Sequence, residues 1–120
     1  MRTRSQEGSI TVVAAAVMAM LVVLSMGVAD VGRALLAREQ ARTAADAAAL
    51  AAVAELAFPT GADATAIASD YAARNGGELS SCACSPGSME ATVSVTVQVP
   101  GFLLFPTGAT VSVQARAVAA

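Results

Sequence analysis

Residues 9–29, SITVVAAAVMAMLVVLSMGVA, are twenty-one consecutive positions without a charge. An α-helix rises about 1.5 Å per residue, so the run measures roughly 32 Å. The hydrocarbon core of a bilayer is about 30 Å thick. Ile10, Val12, Val13, Val17, Leu21, Val22, Val23, Leu24 and Val28 together favour insertion by roughly 3–5 kcal/mol. The hydroxyls of Thr11 and Ser25 each have a carbonyl one turn back to bond. A single membrane-spanning helix is the expectation that this run imposes on the rest of the chain.

A cleaved secretory signal is the alternative. Arg2 and Arg4 supply a basic start, and Gly27-Val28-Ala29 offers a small-x-small cleavage site. Signal cores hold about 7–15 apolar residues, fewer than here, and the helix-forming pattern continues beyond Ala29. Arginines flank the run on both sides: Arg2 and Arg4 before it, Arg33, Arg38 and Arg42 after it. The arginine tally therefore does not decide orientation. The short segment 1–8 is easily retained, so the expected topology is a cytoplasmic head (1–8), a transmembrane helix (9–29) and a small extracytoplasmic domain (30–120).

That domain begins as helix. Residues 30–57, DVGRALLAREQARTAADAAALAAVAELA, contain good helix formers and no proline. Leu36, Thr43, Leu50 and Ala57 recur every seven positions, with Ala47, Val53 and Ala54 beside them. Arg38, Arg42 and Asp46 lie on another face as a solvated charge row, where an Arg42–Asp46 pair is worth a few tenths of a kcal/mol. Gly32 weakens the helix by about 1 kcal/mol relative to Ala, making it the expected point of any bend. Pro59-Thr60-Gly61 ends the element. A second helix is expected over 62–75, capped by Asp63 or Thr60, with Ala64, Ile67, Ala68 and Tyr71 as its apolar stripe. Asn75-Gly76-Gly77 stops it.

Residues 78–88, ELSSCACSPGS, read as loop. From about 89 to 99 the period becomes two: Met89, Ala91, Val93, Val95, Val97 and Val99 alternate with polar residues. The same alternation returns over 109–118 with Val111, Val113, Ala115 and Ala117. The expected fold is α+β: a long N-terminal helix, a short second helix and a C-terminal two-stranded antiparallel hairpin. Two strands alone are marginal in water, so their apolar face needs the Ile67/Tyr71 stripe or the outer part of the long helix. Between the strands, Phe102, Leu103, Leu104 and Phe105 stand in a row between prolines. They suit either a lid over a small core or an exposed tip that meets a partner or the membrane surface.

Composition excludes most chemistry. The chain has no His, Lys or Trp, so it lacks the usual general base and the parts of Ser-His-Asp or Ser-Lys nucleophiles. A net charge of −2 gives no basic field for nucleic acid. Cys82 and Cys84 cannot complete a four-ligand zinc site within one chain. Outside the cytoplasm they would oxidise, in a tight internal bridge or to another chain. Asp30, Asp46, Glu55, Asp63, Asp70, Glu78 and Glu90 are scattered, with no acid/base pair among them. No catalytic, cofactor-binding or metal-binding residues are expected, and no cofactor.

Gly8-Ser9, the apolar run, Val28-Ala29-Asp30-Val31-Gly32-Arg33-Ala34 and the stretch Arg42-Thr43-Ala44-Ala45-Asp46-Ala47-Ala48-Ala49-Leu50-Ala51-Ala52 together resemble the start of TadE/TadG-like proteins of tight-adherence pilus systems. The resemblance covers about residues 7–57, and the short length resembles a subgroup that accompanies secretion and pilus-assembly ATPases. It implies a non-enzymatic, pseudopilin-like, single-pass protein of a bacterial pilus or related secretion machine. Its implied partners are the membrane and other membrane subunits of that machine, in homo- or hetero-oligomers. Pilin-like members are cleaved after a glycine that precedes an apolar segment carrying a glutamate. Here Glu7 comes before Gly8, and Ser9-Ile10-Thr11-Val12-Val13 follows, so the resemblance implies an accessory rather than a major filament subunit. Side-by-side helix packing would suit the small-xxx-small pairs Ala15/Ala19 and Ser25/Ala29, although alanine richness alone also produces such spacing.

Overall fold

Alanine and the absence of proline before Pro59 leave the first half of the chain little choice but helix. The computed structural model describes the backbone of residues 2–104 and 107–120 and the side chains of residues 8–104 and 107–120. Its elements are α1 (Arg2–Ala57), α2 (Ala64–Arg74), β1 (Glu78–Ala83), β2 (Glu90–Val99) and β3 (Ala109–Val118). The 56 residues of α1 amount to about 84 Å, nearly the whole 88 Å length of the molecule. α1 passes through Gly32 without interruption. Its apolar first half stands free: no residue of its most apolar 18-residue window is buried. Ser25 Oγ donates to the Leu21 carbonyl at 2.8 Å, removing one polar hydrogen from the surroundings.

Two caps explain why α2 is short. The Asp63 carboxylate accepts the Thr65 N–H at 3.2 Å at its start. At its end, Gly76 takes a left-handed φ of +78°. The Gly76 N–H then reaches the Ala73 carbonyl (3.1 Å) and the Gly77 N–H the Ala72 carbonyl (2.9 Å). This is a Schellman closure, which needs a residue tolerant of positive φ at Gly76.

The sheet has three strands, in the order β1-β2-β3, both pairings antiparallel. The expectation of two strands, with 78–88 as loop, is corrected by β1. A bulge explains the miss. Leu79 pairs with Val95 but Ser81 pairs with Ser94, so Ser80 is an extra residue. Leu79 and Cys82, three apart, both pack toward the core, and the period of two disappears. β2 and β3 run in unbroken register from Glu90↔Val118 to Val99↔Ala109.

One face of this sheet lies on α1. Ala44, Ala45, Ala48, Ala49, Ala52 and Val53 of α1 meet Ala68 and Ala72 of α2 and Ala91, Val93 and Val95 of β2. Nearer the apolar arm, Ala37 and Ala41 meet Val97 and Val99, with Phe102 and Val111 packed beside them. The largest fully buried side chains are Val93 and Val95. An alanine seam lets helix and sheet approach closely but buries little area per residue.

One sequence expectation for the core, the place of Tyr71 in the α2 stripe, is corrected by this seam. In α2 the buried stripe is Ala64-Ala68-Ala72, whereas Tyr71 is exposed, with the Arg74 guanidinium 5.4 Å from its ring centre. The close approach of α2 to α1 admits only small side chains, and Tyr71 is left at the rim. In α1 the heptad residues Leu36 and Leu50 point outward, 73% and 63% exposed, because the alanine face is the one that fits the sheet.

Candidate functional site

The apolar run ends at Ala29, and the next residue is the first acid after it. Asp30 is buried, 8% exposed, yet among the described residues no cation is bonded to it. Its carboxylate instead holds the backbone of the β2–β3 connection: Oδ1 accepts the Leu103 N–H at 2.8 Å and Oδ2 the Leu104 N–H at 3.0 Å. Both oxygens are used, and two loop N–H groups without strand partners are satisfied. Hydrogen bonds to an ionised acceptor are stronger than neutral ones.

The four apolar residues of that connection divide between the two readings of the sequence. Phe102 is half-buried against the Ala37/Ala41/Val97/Val99 cluster, as a lid would be. Leu103 and Leu104 are turned out, 51% and 39% exposed. Leu103 lies over a shallow depression with Met18, Leu21, Val22, Ser25 and Met26. Leu104 lies on the other side with Val23, Leu24, Gly27, Val28 and Val31. The loop therefore straddles α1 on the apolar side of Asp30. Phe105 lies outside the described residues.

A second buried acid closes the opposite end of α1. Glu55 accepts the Thr60 N–H (2.7 Å) and the Ala62 N–H (3.2 Å) on Oε1 and the Thr60 hydroxyl (2.8 Å) on Oε2. The backbone bond from Thr60, then its hydroxyl, hold the Glu55 carboxyl below its ordinary value. The residue is a turn clamp between α1 and α2 rather than a proton donor or acceptor for chemistry.

The other sequence-selected residues lie apart. Cys82 and Cys84 are joined by a disulfide at the end of β1, far along the chain from Asp30 and beside the turn that follows α1. Ala15, Ala19, Ser25 and Ala29 are all exposed on the free arm of α1. Arg42 and Asp46 line an open groove between α1 and the free edge of β3. Among the described residues the ion pairs are Arg74–Asp70 (2.9 Å) and Arg116–Glu90 (2.6 Å). Among the described residues no three His, Cys, Asp or Glu side chains gather as metal ligands.

In the sequence Asp30 and Glu55 stand among scattered carboxylates, and the structure gives each a structural task. The signal for Asp30 was present: a lone acid directly after an uncharged run, in a chain whose hairpin tip also lacks charge. Neither acid is arranged for catalysis. What the site does is hold an apolar loop against an apolar helix at one level.

No curated protein and no solved structure matches the chain. A family match does exist, and it covers the arm, Asp30 and nearly all of the alanine seam. Together with the apolar helix it fits a membrane-associated pilus component. Over residues 8–55 the chain matches the family described as putative Flp pilus-assembly TadE/G-like.

Proposed function

We propose that this chain is a non-enzymatic, single-pass accessory, similar to a minor pseudopilin, of a bacterial tight-adherence pilus or a related secretion apparatus. Its N-terminus lies in the cytoplasm and residues 30–120 lie outside. The observation that carries the proposal is the bare arm of α1 within the family-matched segment. From Ile10 to Val28, eleven large apolar side chains are more than half exposed. Covering them is worth on the order of ten kcal/mol or more, comparable to the entire stability of a small domain. Lipid supplies that cover, and neighbouring subunits supply the rest through Ala15/Ala19 and Ser25/Ala29.

The test is fractionation of cells making the full chain, combined with N-terminal sequencing and a reporter fused after Ala120. Intact chain in the membrane fraction, with the reporter active outside the cytoplasm, is the expected result. A soluble species beginning near Asp30 in the medium would replace this reading with a released binding protein or effector. A chain beginning at Ser9 would make it a processed, filament-forming subunit.

A further inference from the structure

We propose that the tip of the β2–β3 hairpin is a second membrane contact, in which Leu103 and Leu104 enter the bilayer beside α1 while Asp30 satisfies their backbone. The proposal rests on the spanning role of α1 and adds to it a fixed seat for the whole sheet on the lipid surface.

Level is the first argument. Every α1 residue that flanks Leu103, from Met18 to Met26, belongs to the uncharged run. So does every one flanking Leu104 except Val31. Leu21 precedes Asp30 by nine residues, about 13 Å along the axis. If residues 9–29 lie in lipid, the two leucines lie on the lipid side of Asp30.

Charge is the second. From Ala91 to Ala115 there is no charged residue, so the tip half of the hairpin carries no formal charge to oppose entry into a low dielectric. The hairpin's ion pair, Glu90–Arg116, sits at the opposite end. The β2–β3 hairpin is thus polarised lengthwise, with its charged end away from the apolar arm, while β1 carries one acid, Glu78, opposite Thr96.

Backbone satisfaction is the third. Irregular backbone is excluded from lipid because each unbonded N–H there costs several kcal/mol. Among the described residues of this loop, the N–H groups of Leu103 and Leu104 both end on Asp30. The acid at this boundary has both of its oxygens occupied by these donors. Phe102 anchors the loop inward to the core, which leaves the leucines facing out. A Cβ at Gly27 would lie 3.8 Å from Leu104 Cδ1, so the loop rests directly on the helix.

The chain has no Trp, which allows single reporters in the full-length protein: Leu103→Trp, Leu104→Trp, Val17→Trp in the span and Gln114→Trp on the sheet. Each is reconstituted into phosphatidylcholine/phosphatidylglycerol vesicles with and without brominated acyl chains, and iodide is the aqueous quencher. Both leucine positions are exposed, so the substitutions leave the core intact. The expected result is that Leu103→Trp and Leu104→Trp lose most of their emission to brominated lipid, as Val17→Trp does, and little to iodide, while Gln114→Trp behaves oppositely. Leucine-site reporters quenched by iodide would place the loop in water and overturn the proposal. Reporters shielded from both quenchers would show a protein cover, such as a second copy, and overturn it equally. If Val17→Trp also escapes the brominated lipid, it is the spanning helix itself that fails.

Discussion

The Leu103 N–H and the Asp30 carboxylate meet at 2.8 Å across 73 positions of sequence. This bond, with its twin from Leu104, sets where along α1 the sheet sits. Replacing Asp30 by Ala leaves the Leu103 and Leu104 N–H groups without their acceptor. Bonds to a charged group contribute about 1.5–3 kcal/mol each and are not additive, so a loss of about 2–4 kcal/mol is expected. Denaturant unfolding of the full chain in micelles measures it, with faster amide exchange at residues 103 and 104 as the local signature. Asp30→Asn, which retains one acceptor oxygen, falls between the two.

Two glycines of α1 and the α2–β1 turn respond to added methyl groups with opposite signs. At Gly77 a Cβ would lie 2.5 Å from Val95 Cγ1 and 2.8 Å from Ala44 Cβ, and overpacking of this kind costs about 1–3 kcal/mol. At Gly32 no atom outside the helix's own neighbouring backbone lies within 4 Å of the same position among the described residues, and the residue is inside a helix. Gly32→Ala is therefore expected to stabilise by about 0.5–1 kcal/mol. Thermal melts of both variants in detergent give the comparison, and a Gly77→Ala melt equal to the wild type contradicts the close packing.

Glu55 makes the α1–α2 turn sensitive to acid. Its folded carboxyl titrates below the ordinary value of 4.5, chiefly because the Thr60 N–H and hydroxyl bond the ionised form. The unfolded chain binds this proton first as pH falls, so the contribution is complete above about pH 4.5 and fades through the lowered folded value. Glu55→Gln should be less stable than wild type at neutral pH, and the difference should shrink in acid. Urea midpoints measured across that window test the sign.

Helix contacts of the arm are tested by Ala15→Leu and Ala19→Leu. Either substitution fills the small-xxx-small surface and should reduce co-purification with other membrane subunits while leaving the fold of the sheet unchanged, because both residues are remote from it and exposed. Undiminished complexes in both variants would remove this surface from the interface.

Much of the architecture is legible in the residues because single periods persist over long stretches. The uncharged run, the proline-free alanine stretch and the Val93/Val95/Val97 alternation each announce one element. β1 is hidden because the bulge at Ser80 puts Leu79 and Cys82 on the same face, a spacing that a regular strand does not predict. The core is hidden for a different reason. Leu36, Leu50 and Tyr71 have the greater apolar surface, yet the seam is built from alanines, since close approach of helix to sheet selects for small size rather than hydrophobicity. The clamp by Asp30 depends on a contact 73 residues away, and no local pattern encodes it.

The unbroken passage of α1 from Arg2 to Ala57 has a mechanical consequence. A rod without a hinge transmits displacement instead of absorbing it. Any push, pull or rotation applied to its greasy half is carried along the helix to the sheet.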